Sequence, residues 1–186
     1  MRTSWQPLSP APQERFTSIP RTSGLWSNST TDTNNSSSGS GSYFSHATTF
    51  TIPTNFMIAA RAFRLTAHFQ LTTGSSPPTI SFRLSLGATV IYVSGFSTPG
   101  ASLTNVQLGV QWIFQATQAP GASSNVQCTA INQANGVGSA AVGLTAMPVA
   151  VATNAAQALT IATEWATAGV GTNTIALNQF ILEALN

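Results

Sequence analysis

Few residues in this chain could do covalent chemistry, and their spacing decides which kinds remain open. The acids are Glu14, Asp32, Glu164 and Glu183, and the histidines are His46 and His68. Glycoside cleavage takes two carboxylates flanking one bond, for which Glu164 and Glu183 are the candidates. Glu164 runs out of phase with Ile161 and Trp165, and Glu183 out of phase with Phe180 and Leu182. Both are therefore expected on solvated faces. A Ser-His-Asp triad needs an acid that orients the imidazole. Asp32 lies in a Ser/Asn/Gly tract, and no G-x-S-x-G elbow occurs. Neither histidine has the close His, Asp or Glu neighbours of a metal site, and Gly136-x-Gly138 is too little for a phosphate loop. The expectation is no catalyst, no metal and no cofactor.

Binding surfaces are the alternative. Trp112 and Trp165 share parity with the apolar residues of their segments, so they belong to a core rather than to a sugar platform. Arg64, His68 and Arg83 all sit at polar positions of residues 60–86, and a turn over 73–78 would bring His68 near Arg83. That patch would suit an acidic partner surface. Cys128 stands between Val126 and Ala130 at the same parity and reads as a small buried hydrophobe. The basic residues are six Arg with no Lys, for a net charge of +2. Nucleic-acid binding needs several clustered cations, so that class is excluded. The first twenty residues hold no apolar run and no later stretch is long enough to span a bilayer, so neither a signal peptide nor a membrane partner is expected.

The elements that position these residues are strands. In residues 60–86, Phe63, Leu65, Ala67, Phe69 and Leu71 alternate with Arg64, Thr66, His68 and Gln70. After Gly74-Ser-Ser-Pro-Pro78 the alternation resumes through Ile80, Phe82, Leu84 and Leu86. Period two means one buried and one wet face, and the two runs read as a hairpin. Gly87-Ala88 suits a type II′ turn into Thr89–Val93. Further strands are expected over 24–29, 43–52, 104–117, 125–132, 159–165 and 173–185. In the last, Ile175 and Leu177 are odd while Phe180 and Leu182 are even, which calls for a β-bulge near Asn178-Gln179. Residues 30–42 read as a low-complexity loop, and 136–153 as a long Gly/Ala/Val loop. About eight strands with no convincing helix make an all-β antiparallel sandwich, a jelly roll. Phe69, Phe82, Trp112 and Trp165 are expected between its sheets.

Residues 22–186 form that single domain, and residues 1–21 an extended arm. The arm contains Pro7, Pro10, Pro12 and Pro20 and too few apolar groups for a core. Trp5, Phe16 and Ile19 are its candidate anchors in a neighbouring subunit. Only 5% of the chain is charged, against roughly 25% in ordinary domains. That shortage suggests a homo-oligomer, a trimer being the expected form.

Three runs also carry a family resemblance: TFTIPTNFM (49–57), ISFRLSLGATVI (80–91) and AAQALTIATEWATAGVGTNTIALNQFILEAL (155–185). Together they resemble a recurrent module of tailed-phage virions, over roughly residues 25–185. The resemblance implies a non-enzymatic jelly-roll structural protein at the virion surface. A capsid decoration or cement protein, attached through the arm to the major capsid protein, is the first expectation. A tail or fibre component contacting host-surface glycans is the second. Such modules commonly form trimers. The arm and the loop over 30–42 depart from the pattern.

Overall fold

A computed structural model describes residues 26–28, 32–35, 42–59, 61–94, 97–134, 146–167 and 173–185. It is all-β. The strands are β1 (Trp26–Asn28), β2 (Asp32–Asn35), β3 (Phe44–Ile52), β4 (Ala62–Thr72), β5 (Ile80–Leu86) and β6 (Thr89–Val93). They continue as β7 (Val106–Ala116), β8 (Ser124–Ala134), β9 (Val149–Val151), β10 (Gln157–Trp165) and β11 (Thr174–Ala184). A seven-stranded sheet runs β1-β11-β4-β7-β8-β9, with β2 also on β11, and a four-stranded sheet runs β3-β10-β5-β6. β1 and β2 lie along successive stretches of β11 and act as one interrupted edge strand. Set the β8–β9 extension aside and count β1 and β2 as one strand, and the chain crosses between sheets at every step but the β5–β6 hairpin, as two interlocked Greek keys. This is the expected jelly roll.

The expected central hairpin is not one. β4 pairs with β7 and β11, whereas β5 pairs with β10 and β6 in the other sheet. Alternation reports which face of a strand is buried, not which neighbour it pairs with. The linker over 73–79 spans the ~10 Å between packed sheets instead of closing a tight turn. It is pinned at its start: Thr73 Oγ1 donates to Gly100 O (2.7 Å), and Gly74 N donates to Asn173 Oδ1 (2.9 Å).

Two loops also prove shorter than expected. The tract over 30–42 contributes β2, and the 136–153 region contributes β9. Other local readings hold. Gly87 has φ +56 in the two-residue turn that joins Leu86 to Thr89, a conformation glycine takes without strain. On β11 the register shifts between Leu177 and Gln179, which leaves Asn178 as the bulged residue.

Inward residues of both sheets make one core. Phe69 and Phe82 meet across the sandwich with ring centroids 5.3 Å apart, and Phe63 stacks on Phe114 at 5.3 Å. Trp112 and Trp165 are fully buried. Truncating Phe82 to Ala removes the ring that fills the space opposite Phe69. It should destabilise the domain by roughly 3–5 kcal/mol. Chemical denaturation checks this, and a loss well under ~1 kcal/mol would contradict the packing described here.

Candidate functional site

The outer face of the four-stranded sheet gathers polar side chains into one cluster. Glu164 on β10 stands opposite Ser81 on β5, and on its other side Thr163 stands opposite Phe44 of β3. Tyr43, one residue before β3, therefore continues the row Tyr43, Glu164, Ser81. The Tyr43 hydroxyl reaches Ser81 Oγ at 2.9 Å, so its ring must cross β10 at Glu164. Glu164 is consequently only 9% exposed. The sequence reading placed its side chain on the correct face but expected it to be solvated. The covering ring comes from a residue 121 positions earlier in the chain, which local periodicity cannot register.

Hydrogen bonds fix the ring. Ser81 Oγ donates to Ser94 O (2.9 Å), so its lone pairs are left to accept from the Tyr43 hydroxyl. Phe82 N donates to Ser94 Oγ (2.8 Å) and ties this chain to the ladder edge. Burial pushes the Tyr43 phenol above its ordinary value, opposed by the Ser81 bond and reinforced by the Glu164 charge. The phenol stays protonated at neutral pH. Arg83, opposite the small Ala162, lays its guanidinium over the Tyr43 ring with Cζ 4.2 Å from the centroid, a cation–π contact. Arg83 is half-buried, and its Nε is buried with no hydrogen-bond partner among the described residues. The cluster thus presents a guanidinium stacked on a phenol ring, with a largely covered carboxylate at the edge of that ring.

Arg64 and His68 do not join Arg83. They lie on the outer face of the seven-stranded sheet, on the far side of the sandwich, because β4 and β5 belong to different sheets. Arg64 Nε bonds Glu183 Oε2 at 2.7 Å, and His68 is exposed between Gln179 and Gly109. The expected Arg64–His68–Arg83 patch is therefore not formed. Glu164 and Glu183 are likewise on opposite outer faces and cannot flank one bond. Trp5, Phe16 and Ile19 lie outside the described residues.

One group of polar residues was missed. His46 is buried, with Nε2 3.1 Å from Thr163 Oγ1 and Nδ1 3.8 Å from Asp32 Oδ2. Asn34 Nδ2 donates to Thr163 Oγ1 (3.0 Å) and to Thr163 O (3.1 Å). Thr163 Oγ1 accepts from Asn34, and its second contact, to His46 Nε2, runs in either direction according to the imidazole tautomer. The order acid, imidazole, hydroxyl is that of a triad. Thr163 is 0% exposed, so no substrate reaches its oxygen, and the group is structural. The sequence did hold a signal, because His46 shares parity with Phe44, Phe50 and Ile52. Among the described residues, no three of His, Cys, Asp and Glu are grouped as metal ligands would be. Cys128 is half-buried and burial pushes its thiol up to about 12, which leaves little thiolate.

No family model matches this chain, and no curated protein matches it. Among solved structures it is weakly similar to the CBM2 module of the evolved Dit of Lactobacillus casei BL23 phage J-1. That match has 9% identity, covers 73% of this chain and 68% of that one, and has a TM-score of 0.33. It is also weakly similar to the alginate lyase Aly36B in complex with alginate trisaccharide. There the identity is 9%, the coverage 84% of this chain and 98% of that one, and the TM-score 0.33. Similarity at this level carries no argument about function.

His46 generates a pH prediction. Burial lowers its pKa below the ordinary ~6.5, with the Asp32 charge acting in the opposite direction. The unfolded chain then takes up the proton first, so stability is intact above pH ~6.5 and falls as pH drops from there toward the folded value. Urea midpoints should decline between about pH 7.5 and 5, and His46→Gln should be less stable at the upper end but flatter across the window. A variant keeping the wild-type slope would remove His46 as its source.

Proposed function

We propose that this chain is a non-enzymatic structural module of a tailed-phage virion. In this reading it belongs to the tail or a fibre and contacts host-surface glycans through the outer face of its four-stranded sheet. The observation that carries the reading is the Arg83–Tyr43–Glu164 cluster. Guanidinium donors held flat on an aromatic ring beside a carboxylate acceptor match the alternating needs of vicinal hydroxyls. A bound anion would meet Glu164, and a bound cation would meet Arg83, so a neutral polyol fits best. Around the cluster, exposed Ser45 and half-buried Thr160 add uncharged hydroxyls to the same face. The separation of Glu164 and Glu183 to opposite faces supports binding without bond cleavage. The phage assignment is supported by the strand and turn runs described above.

Calorimetric titration with neutral host-wall polysaccharide tests this. Arg83→Ala and Glu164→Gln should each weaken binding roughly tenfold or more, the loss expected for a charge-assisted hydrogen bond, while circular dichroism stays unchanged. Wild-type affinity in both variants, or no binding by the wild type, would end the glycan reading.

A second reading, capsid decoration, is favoured by the arm sequence alone. Ordering an extended segment costs about 1–2 kcal/mol per residue, and proline reduces that cost. Trp5, Phe16 and Ile19 would then insert between neighbouring subunits of the shell. Deleting residues 2–21 should leave β-type circular dichroism intact and abolish attachment to particles in a co-sedimentation assay. Full occupancy by the truncated chain would reject the arm as an anchor.

A further inference from the structure

We infer that the outer face of the seven-stranded sheet is a contact surface for a second copy of this chain. Four strands of this sheet, β11, β4, β7 and β8, are each 11 residues long. At strand spacings of about 4.8 Å and rises of about 3.4 Å, they present a face of roughly 700 Å². That is close to the ~800 Å² that each partner buries in a stable pairwise interface.

The composition of this face points the same way. One cross-strand row reads Ile181, Thr66, Gln111, Ile131, and Ile113 stands in the next row beside Arg64. Ile131 is 51% exposed, a large apolar side chain on a strand that faces water. Soluble domains usually keep about 25–35% of their surface charged, whereas interface cores are depleted of charge. The charged residues in these rows are Arg64 and Glu183, which neutralise each other at 2.7 Å.

A second copy suits the surface better than a different partner for two reasons. The ion pair is internally balanced, so an identical face brings no like-charge penalty. Gln111 and Thr66, already bonded to each other at 3.4 Å, carry both donors and acceptors and can bond to their own kind. A face that meets itself closes at two copies about a twofold axis, whereas the trimer expected from composition would need two different patches on each copy. In the dimer both four-stranded sheets point outward, so this inference stands whether or not they bind glycans.

Sedimentation velocity on the full chain at tens of micromolar tests the inference. The wild type should sediment at twice the 19.3 kDa chain mass. Ile131→Lys combined with Gln111→Lys should return it to one chain mass, while Thr160→Lys on the opposite sheet leaves the dimer unchanged. Circular dichroism and thermal melts certify folding, and Ile131→Ser stands in if the double variant does not fold. A wild-type monomer, a three-copy mass, or a dimer unmoved by the substitutions would overturn the proposal.

Discussion

The packing of β4 against β5 constrains everything else in the molecule. Phe69 and Phe82 meet at 5.3 Å from strands that are neighbours in the chain but members of different sheets. Hydrophobic burial drives that contact, and the linker over 73–79 has only to span the gap. Once the two strands face each other through their apolar sides, their polar sides must point away from each other. Arg64 and His68 then go to one exterior and Arg83 to the other. The sandwich therefore has two outer faces with separate chemistry, and neither can borrow residues from the other.

Those faces solve the shortage of charge in different ways. On the four-stranded sheet, charge is concentrated and partly covered: Glu164 lies beneath Tyr43, and Arg83 is stacked on the same ring. On the seven-stranded sheet, charge is cancelled in the Arg64–Glu183 pair, and around it stand Gln, Thr and Ile with the exposed His68. Contacts made by either face have little exposed net charge to screen and should vary weakly with ionic strength.

Much of this was legible along the chain, and the limits have a common cause. Period two gives the buried face of each long strand, and the parity change between Leu177 and Phe180 marks the bulge at Asn178 without any structure. Gly87-Ala88 declares its turn for the same reason, since φ at glycine is a local property. What periodicity cannot supply is the identity of the neighbour. Residues 60–86 read equally well as a hairpin or as two strands facing across a core. Glu164 reads as solvated because Tyr43 is remote in sequence. Asp32 reads as loop because its strand is held by the ladder to β11 and by bonds from Asn34 to Thr163 rather than by an apolar run of its own. Each miss is a contact of long sequence separation.

The buried polar group and the outer cluster share one seam. Thr163 and Glu164 are consecutive on β10, so alternation sends one side chain to His46 and Asn34 and the other beneath Tyr43. Across the ladder, Phe44 pairs with Thr163, while Tyr43 lies one step further out. A buried hydroxyl left without its partners costs more than its bonds contribute, so Thr163 must keep both Asn34 and His46. Those bonds act together with the ladders to β3 and β5 to hold β10 at the residue before Glu164. The interior therefore sets how the carboxylate sits under the ring, and the geometry of the outer cluster is inherited from a hydrogen-bonded group on the opposite side of the same strand.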